Sequence, residues 1–239
     1  MKSRRLLAAL CSALLFSICA AADAPVPNPA AVPTLRNDWL IRHNGFVAEA
    51  KAGGIELLFI GDSITDGWRN RGKETWATDY APLKAANFGI GGDRTEHVLW
   101  RLQNGELDGL QPKVAVVMIG TNNSARDTAP QIVEGVTAIV REIQQRTPTT
   151  KILLLAIFPR AEKPDSPLRA KLTEANQALA KLDDGGLHVA FLDIGAAFLQ
   201  PDGILPASIM PDFLHPNEAG YRMWATAMAP KLAELLSGK

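Results

Sequence analysis

The chain has 239 residues, 47% hydrophobic and 21% charged, with 19 glycines and 16 prolines, a balance that supports one globular domain with a sizeable core and excludes fibrous, low-complexity and disordered classes. Basic and acidic side chains number 25 each. No field of one sign is present to attract nucleic acid or a membrane surface, so a small uncharged or mildly charged molecule is the expected partner.

In chain order, Lys2, Arg4 and Arg5 precede an apolar run over 6–20, and Ala20-Ala21-Ala22 offers small residues for cleavage. That is the pattern of a signal peptide over 1–22, and export to the periplasm or the medium is expected. The run falls short of the ~20 residues a bilayer-crossing helix needs, so an N-terminal anchor is the weaker reading and stable membrane insertion is not expected. Both cysteines, Cys11 and Cys19, lie in this segment. The remainder can form no disulfide, thiol nucleophile or thiolate metal site. Residues 23–36 are rich in Ala and Pro and read as a mobile, extended linker, which leaves 37–239 as the domain.

Five apolar runs read as strands: 57–60, 86–88, 114–119, 151–157 and 189–192. The strongest are continuous Val, Ile and Leu, as in parallel strands covered on both faces. Asp93-Arg94-Thr95-Glu96 and Thr128-Ala129-Pro130-Gln131 resemble capping boxes, and Ser166-Pro167 places a cap before a first-turn proline. Long helices are expected over about 130–146, 167–181 and 217–236, with Pro216 able to open the last. Strand and helix alternate without internal repeats, so the fold class is α/β: a three-layer α/β/α sandwich around a mainly parallel five-stranded sheet.

Ligands of such sheets bind beyond the carboxyl ends of the strands. The segments able to carry chemistry fall there: Gly61-Asp62-Ser63 after the first strand, Gly89-Ile90-Gly91-Gly92-Asp93 after the second, Gly120-Thr121-Asn122-Asn123 after the third. A serine hydroxyl becomes a nucleophile only if a base reaches it. Asp212 and His215, three apart, could supply an orienting carboxylate at Nδ1 and leave Nε2 for Ser63. Read singly, these residues are a common turn, a helix-capping aspartate and a surface histidine. Thr65 stands where a G-x-S-x-G nucleophile elbow has its second glycine, so a hydrolase of this kind needs another fold than the α/β-hydrolase one.

Ester cleavage passes through an oxyanion, and each positioned donor to it is worth about 3 kcal/mol. The candidates are the Ser63 N–H, a backbone N–H of the Gly91-Gly92 pair and the Asn122 amide. No Walker lysine or acidic ribose partner follows the glycine-rich loop. His43, His97 and His188 have no ligand partners at metal spacing, so neither metal nor cofactor is expected. Asp62 and Asp93 read as loop-stabilising. Trp39, Trp68, Trp76, Trp100 and Trp224 read as scattered core or lid residues, with Trp68 able to line a pocket.

Taken together, Ser63, Gly92, Asn122 and Asp212-x-x-His215 resemble the four blocks of the GDSL or SGNH hydrolase family. Asn87 to Asp93, His97 to Leu107 and Gly120 to Asn123 look like the intracellular platelet-activating-factor acetylhydrolase catalytic subunits, a similarity that runs from about Leu57 to the C-terminus, nearly the whole of the expected mature domain. The resemblance implies the flavodoxin-like fold of that family and a triad of Ser63, Asp212 and His215. It also implies an oxyanion hole of Ser63, Gly92 and Asn122, and pairing as a homodimer. A preference for short acyl groups is implied too, and Ile64, Thr121 and Leu214, each beside a site residue, are expected to crowd the acyl pocket. The reading is an exported esterase of short acyl esters, acetylated carbohydrate being one substrate class. The alternatives are a lysophospholipase or thioesterase, or a silent carbohydrate-binding module. Leaving-group recognition is assigned to loops 69–78 and 160–167, which carry no decodable motif.

Overall fold

The computed structural model describes residues 26–238, so the expected signal peptide and both cysteines lie outside the described residues. Helix α1 (Leu40–Ala52) leads into β1 (Leu57–Gly61), followed by the short α2 (Ser63–Asp66), a single turn α3 (Lys73–Thr75) and β2 (Ala85–Gly89). Next come α4 (Thr95–Arg101), β3 (Val114–Met118), α5 (Ala129–Arg146), β4 (Lys151–Leu155), α6 (Pro167–Leu179), β5 (Val189–Leu192) and α7 (Glu218–Ser237). The five strands form one sheet in the order β2-β1-β3-β4-β5, and every neighbouring pair is parallel.

Alternate strand residues serve opposite layers. Leu58, Ile60, Phe88, Val117, Ile152 and Leu154 are buried with residues of α1, α4, α5 and α6, whereas Leu57, Phe59, Val116, Met118, Leu153 and Leu155 are buried with Trp68, Tyr80 and α7. Burial on both faces is why β1, β3 and most of β4 read as unbroken apolar runs rather than as an alternation. The expected 114–119 and 151–157 strands pair only as far as Met118 and Leu155, although Ile119 and Ala156 to Phe158 remain buried past the last ladder bonds. The tryptophans are less scattered than expected. Trp68, Trp76 and Trp224 gather with Phe59, Tyr80 and Tyr221 in one aromatic cluster, with Trp68 ring centroids 4.6 Å from Tyr221 and 4.9 Å from Trp224. Trp68 is fully buried there, and the recess it borders is lined by Glu49, Arg69, Trp76 and Asn87 rather than by Ser63, Asn122 or His215.

Two further expectations are corrected. Over its described portion, 26–36, the expected mobile linker is packed on the domain. Pro29–Ala31 forms a 3-10 turn capped by Asn28, whose amide also donates to Gln131 O at 3.0 Å and Glu134 Oε2 at 2.8 Å. Ala30 is fully buried, and its carbonyl accepts from Thr95 Oγ1 at 2.7 Å. Composition suggested mobility, but the cap and these long-range bonds satisfy the backbone of the segment. The second correction concerns the first capping box. The N-cap of α4 is Arg94, whose N–H donates to the ring Nδ1 of His97 at 3.1 Å, while Asp93 faces inward. The second capping box forms as expected, with Thr128 and Gln131 bonded reciprocally.

Asp93 belongs to a buried chain of charge. Its carboxylate accepts from Arg36 Nη1 and Arg101 Nε, both at 2.9 Å, and Arg101 also pairs with Glu106, which bonds His43 Nδ1 at 3.0 Å. Arg101 Nη2 further donates to Phe88 O at 3.1 Å, tying the chain to β2. Charges taken out of water persist only when paired in this way. His43 and His97 are buried and His188 is exposed. Among the described residues no helix is long and apolar enough to cross a membrane.

Candidate active site

Ser63 is the first residue of α2, which is set directly on the carboxyl ends of β1 and β2. A Cβ on Gly61 would lie 2.4 Å from Met118 O and 2.9 Å from Thr65 Cβ, and one on Gly89 2.4 Å from Asp66 N, so the two strands end in glycine because α2, with β3 beside Gly61, leaves no room for a side chain. Asp62 caps that turn, its Oδ1 accepting from Ile64 N at 2.9 Å, and Tyr221 of α7 donates to Ile64 O at 2.6 Å. The seryl hydroxyl is thereby held by elements from both ends of the domain.

His215 reaches Ser63 from a loop before α7, across 152 positions of sequence: Oγ and Nε2 are 2.8 Å apart. Asp212 Oδ2 lies 2.6 Å from His215 Nδ1, and its Oδ1 accepts the backbone N–H groups of His215 at 2.8 Å and Leu214 at 3.2 Å. A carboxylate only accepts, so Nδ1 carries the imidazole proton and Nε2 is left to accept from Ser63. Burial disfavours the charge on Asp212, but the bonds from His215 and Leu214 outweigh it and hold the carboxyl below its ordinary range. Phe213, at φ 55°, turns the chain between these residues, and its carbonyl accepts from Ala161 N at 2.9 Å. The last helix opens at Glu218 behind an Asn217 cap, two residues later than Pro216.

The oxyanion-loop candidates lie alongside. Ile90 to Asp93 close a β-turn, with Asp93 N donating to Ile90 O at 3.2 Å and Gly92 at φ +77°. A Cβ on Gly91 would sit 3.9 Å from Ser63 Cβ, so this loop abuts the nucleophile candidate. Asn122 Nδ2 donates to Asp93 O at 2.8 Å, which fixes the amide orientation and leaves its second N–H free. Its neighbour Asn123 is fully buried and spent on structure: Oδ1 accepts from Thr95 N at 3.0 Å, and Nδ2 donates to Thr95 Oγ1 at 3.0 Å and Asp127 Oδ2 at 2.8 Å. The two adjacent asparagines therefore divide into one anchor and one available donor.

The expected acyl-pocket residues divide differently. Ile64 is 1% exposed and Thr121 0%. Neither offers surface to a bound acyl group, because each side chain turns into the protein from the residue beside it. Ile64 packs with Trp68 and Tyr221, and Leu214 is half-buried against the same apolar layer. Two surface clefts of about 620 and 630 Å³ lie elsewhere, along α5 and along α6, and neither is lined by Ser63, Asn122 or His215.

Two residues near the site escaped the sequence reading, and a third, Asp62, was read only as loop-stabilising. Arg36 Nη1 donates to Gly91 O at 3.0 Å. Arg160, after β4, donates to Thr121 O at 2.9 Å and feels the charges of Asp62 and Asp212 while burial depresses its own pKa. Asp62 is fully buried with Oδ2 unpartnered, and burial, reinforced by the charge of Asp93, pushes its carboxyl up to about 7 against the pull of the Ile64 N–H and Arg160. Only Asp62 had a local signal, its adjacency to Ser63.

Comparison with known proteins accords with this geometry. The model of the GDSL-like Lipase/Acylhydrolase family matches residues 59–223. Platelet-activating factor acetylhydrolase IB subunit alpha2 of Homo sapiens is 41% identical over 215 residues, 87% of this chain and 92% of the relative. The alpha1 subunit from the same organism is 39% identical over 216 residues, covering 88% and 92%. Among solved structures, a GDSL-like lipase from Bacteroides thetaiotaomicron superposes with TM-score 0.65 at 18% identity, covering 80% of this chain and 97% of that one. An acetylxylan esterase from Geobacillus stearothermophilus gives 0.60 at 22% identity, covering 77% and 94%. These two share the fold.

Proposed function

The chain belongs to the GDSL-like lipase/acylhydrolase family and is a serine ester hydrolase, and on that premise we propose that it cleaves short-chain, above all acetyl, esters with Ser63 as nucleophile, His215 as general base and Asp212 as its orienting partner. The observation that carries the assignment is the relay Ser63 Oγ to His215 Nε2 at 2.8 Å and His215 Nδ1 to Asp212 Oδ2 at 2.6 Å. In the proposed reaction His215 takes the Ser63 proton as Oγ attacks the carbonyl carbon. The oxyanion is received by the N–H groups of Ser63, Gly92 and Asn122, and collapse expels the alcohol with the proton that His215 held. Water then repeats the sequence on the acyl-enzyme and releases the acid.

The acetyl preference is supported by the relatives, which are named for acetyl hydrolysis, and by the absence of Ser63 from both large clefts. Initial rates on p-nitrophenyl acetate and decanoate test it: the acetate is expected to be preferred at least tenfold, and equal rates would remove the preference. The substrate is read as an acetylated sugar whose hydroxyl is the leaving group, consistent with the N-terminal pattern over 1–22, which supports export. Acetylated xylo-oligosaccharides, an acetyl phospholipid and an acyl thioester compared on one preparation test the leaving group. N-terminal sequencing of protein recovered outside the cytoplasm tests export.

A further inference from the structure

The Ile90 to Asp93 turn is type II: Asp93 N donates to Ile90 O at 3.2 Å, Gly92 has φ +77°, and Gly91 does not have positive φ. Its middle peptide, between Gly91 and Gly92, can rotate as a unit by coupled changes at the two flanking dihedrals. Such a rotation converts type II into type I, keeps the closing hydrogen bond and reverses the middle carbonyl and N–H. Glycine at both central positions lets the chain take either form without steric penalty. Nothing within the turn itself therefore fixes which way the Gly92 N–H points.

Arg36 does. In a trans peptide the carbonyl and the following N–H point to opposite sides, so whatever grips Gly91 O also aims Gly92 N–H. Arg36 Nη1 donates to Gly91 O at 3.0 Å and to Asp93 Oδ1 at 2.9 Å, and Nη2 donates to Asp38 Oδ2 at 2.7 Å. Carboxylates on two sides hold the guanidinium, and Asp93 is in turn anchored by Arg101 at 2.9 Å. Asp93 also lends its carbonyl to Asn122, so one buried carboxylate residue organises both oxyanion candidates beyond Ser63. The guanidinium lies on the carbonyl edge of the peptide, 3.3 Å from where a Gly92 Cβ would be, leaving the N–H edge turned away from it.

We infer that Arg36 is a positioning residue for catalysis: it locks the Gly91-Gly92 peptide in the orientation that presents the Gly92 N–H to the oxyanion. The inference rests on the proposed oxyanion role of Gly92. It makes the segment before α1 part of the catalytic apparatus, a function that its Ala and Pro composition does not suggest. A cation on the carbonyl also polarises the peptide and strengthens its N–H as a donor.

The test compares Arg36→Ala, Arg36→Gln and Asn122→Ala with the wild-type chain on p-nitrophenyl acetate. A lost oxyanion donor costs about 100- to 1000-fold in kcat, so partial misorientation by Arg36→Ala is expected to cost about 10- to 100-fold with KM within about threefold. Phosphonylation of Ser63 by a fluorophosphonate, which develops charge on a phosphonyl oxygen at the same oxyanion position, is expected to slow in parallel. Methylguanidinium added at millimolar concentration is expected to restore part of kcat to Arg36→Ala and none to Asn122→Ala, a response that loss of mere packing would not give. Should Arg36→Ala not accumulate folded, Arg36→Gln carries the test, since its single amide donates poorly to two acceptors and Asp93 outcompetes a neutral carbonyl. Folded Arg36 variants within twofold of wild-type kcat, beside an impaired Asn122→Ala, would overturn this inference alone. Folded Arg36 variants and Asn122→Ala that are all unimpaired would instead remove the oxyanion reading beneath it.

Discussion

Replacing Asp212 by Asn changes one oxygen for one nitrogen, yet the site geometry makes it costly. Oδ1 accepts two backbone N–H groups, from His215 at 2.8 Å and Leu214 at 3.2 Å, so the amide oxygen of the variant must stay there. The amide nitrogen then takes the place of Oδ2, 2.6 Å from His215 Nδ1, where a donor now meets a donor. The conflict is relieved by moving the imidazole proton to Nε2, and an Nε2–H cannot accept from Ser63. In a sequestered triad such a tautomer error costs about 10⁴ in kcat. Here the Asp212 side chain is 53% exposed and that of His215 22%, so water can soften the conflict. We expect a loss of about 10²- to 10³-fold in kcat, or about 3–4 kcal/mol of transition-state stabilisation, with KM changed less than about threefold. Initial rates on p-nitrophenyl acetate, with circular dichroism to establish folding, provide the assay. A folded variant within threefold of wild-type kcat, or one altered in KM alone, would refute the tautomer argument.

Other expectations concern the same neighbourhood. Asn122→Ala is expected to lower kcat by about 100- to 1000-fold with little change in KM, measured as initial rates, because its free N–H serves only the developing oxyanion. The Asp62 carboxyl is raised in the fold to about 7 from 3.8, so its contribution to stability is fully present below pH 3.8 and is lost as pH rises through 7. Asp62→Asn removes that titration, so its melting temperature relative to wild type is expected to climb between pH 5 and 8, by the equivalent of at most about 3 kcal/mol, since only the two units from pH 5 to 7 act at about 1.4 kcal/mol per unit. A flat difference would contradict it, whatever constant cost the unpaired amide adds. His97 runs the other way: burial, against the pull of Glu96, depresses it to about 4 from 6.5, so its contribution is present above pH 6.5 and lost as pH falls through 4. His97→Gln, which can still accept the Arg94 N–H, is expected to flatten acid destabilisation in that window, followed by thermal melts.

The parts of the molecule legible in the sequence are those decided by simple covering and position. Strands buried on both faces had to be largely apolar runs, and the loops that carry Ser63, Gly92 and Asn122 were placed by following such strands with glycine nearby. Errors arose where long-range partners decided the outcome. Asp93 did not cap α4 because Arg36, 57 positions earlier, and Arg101 claim its carboxylate. The segment 26–36 is ordered by Asn28 and by Thr95, a partner 65 positions from Ala30. Ile64 and Thr121 failed as pocket residues because chain adjacency to a functional side chain is not adjacency in the cleft. Successive helical side chains diverge by about 100°, so the residue after Ser63 faces the core. Arg36 carried no local signal, since its role depends on a carbonyl 55 positions away.

The central claim is that the Ser63 hydroxyl, activated by His215, carries the acyl group. Intact-mass and peptide mass spectrometry after brief exposure to a fluorophosphonate measure this directly. The account predicts a single adduct on Ser63 in the wild-type chain, none in folded Ser63→Ala, and at least 100-fold slower labelling in His215→Ala. Stoichiometric labelling of another residue, or undiminished labelling and turnover in Ser63→Ala, would contradict it.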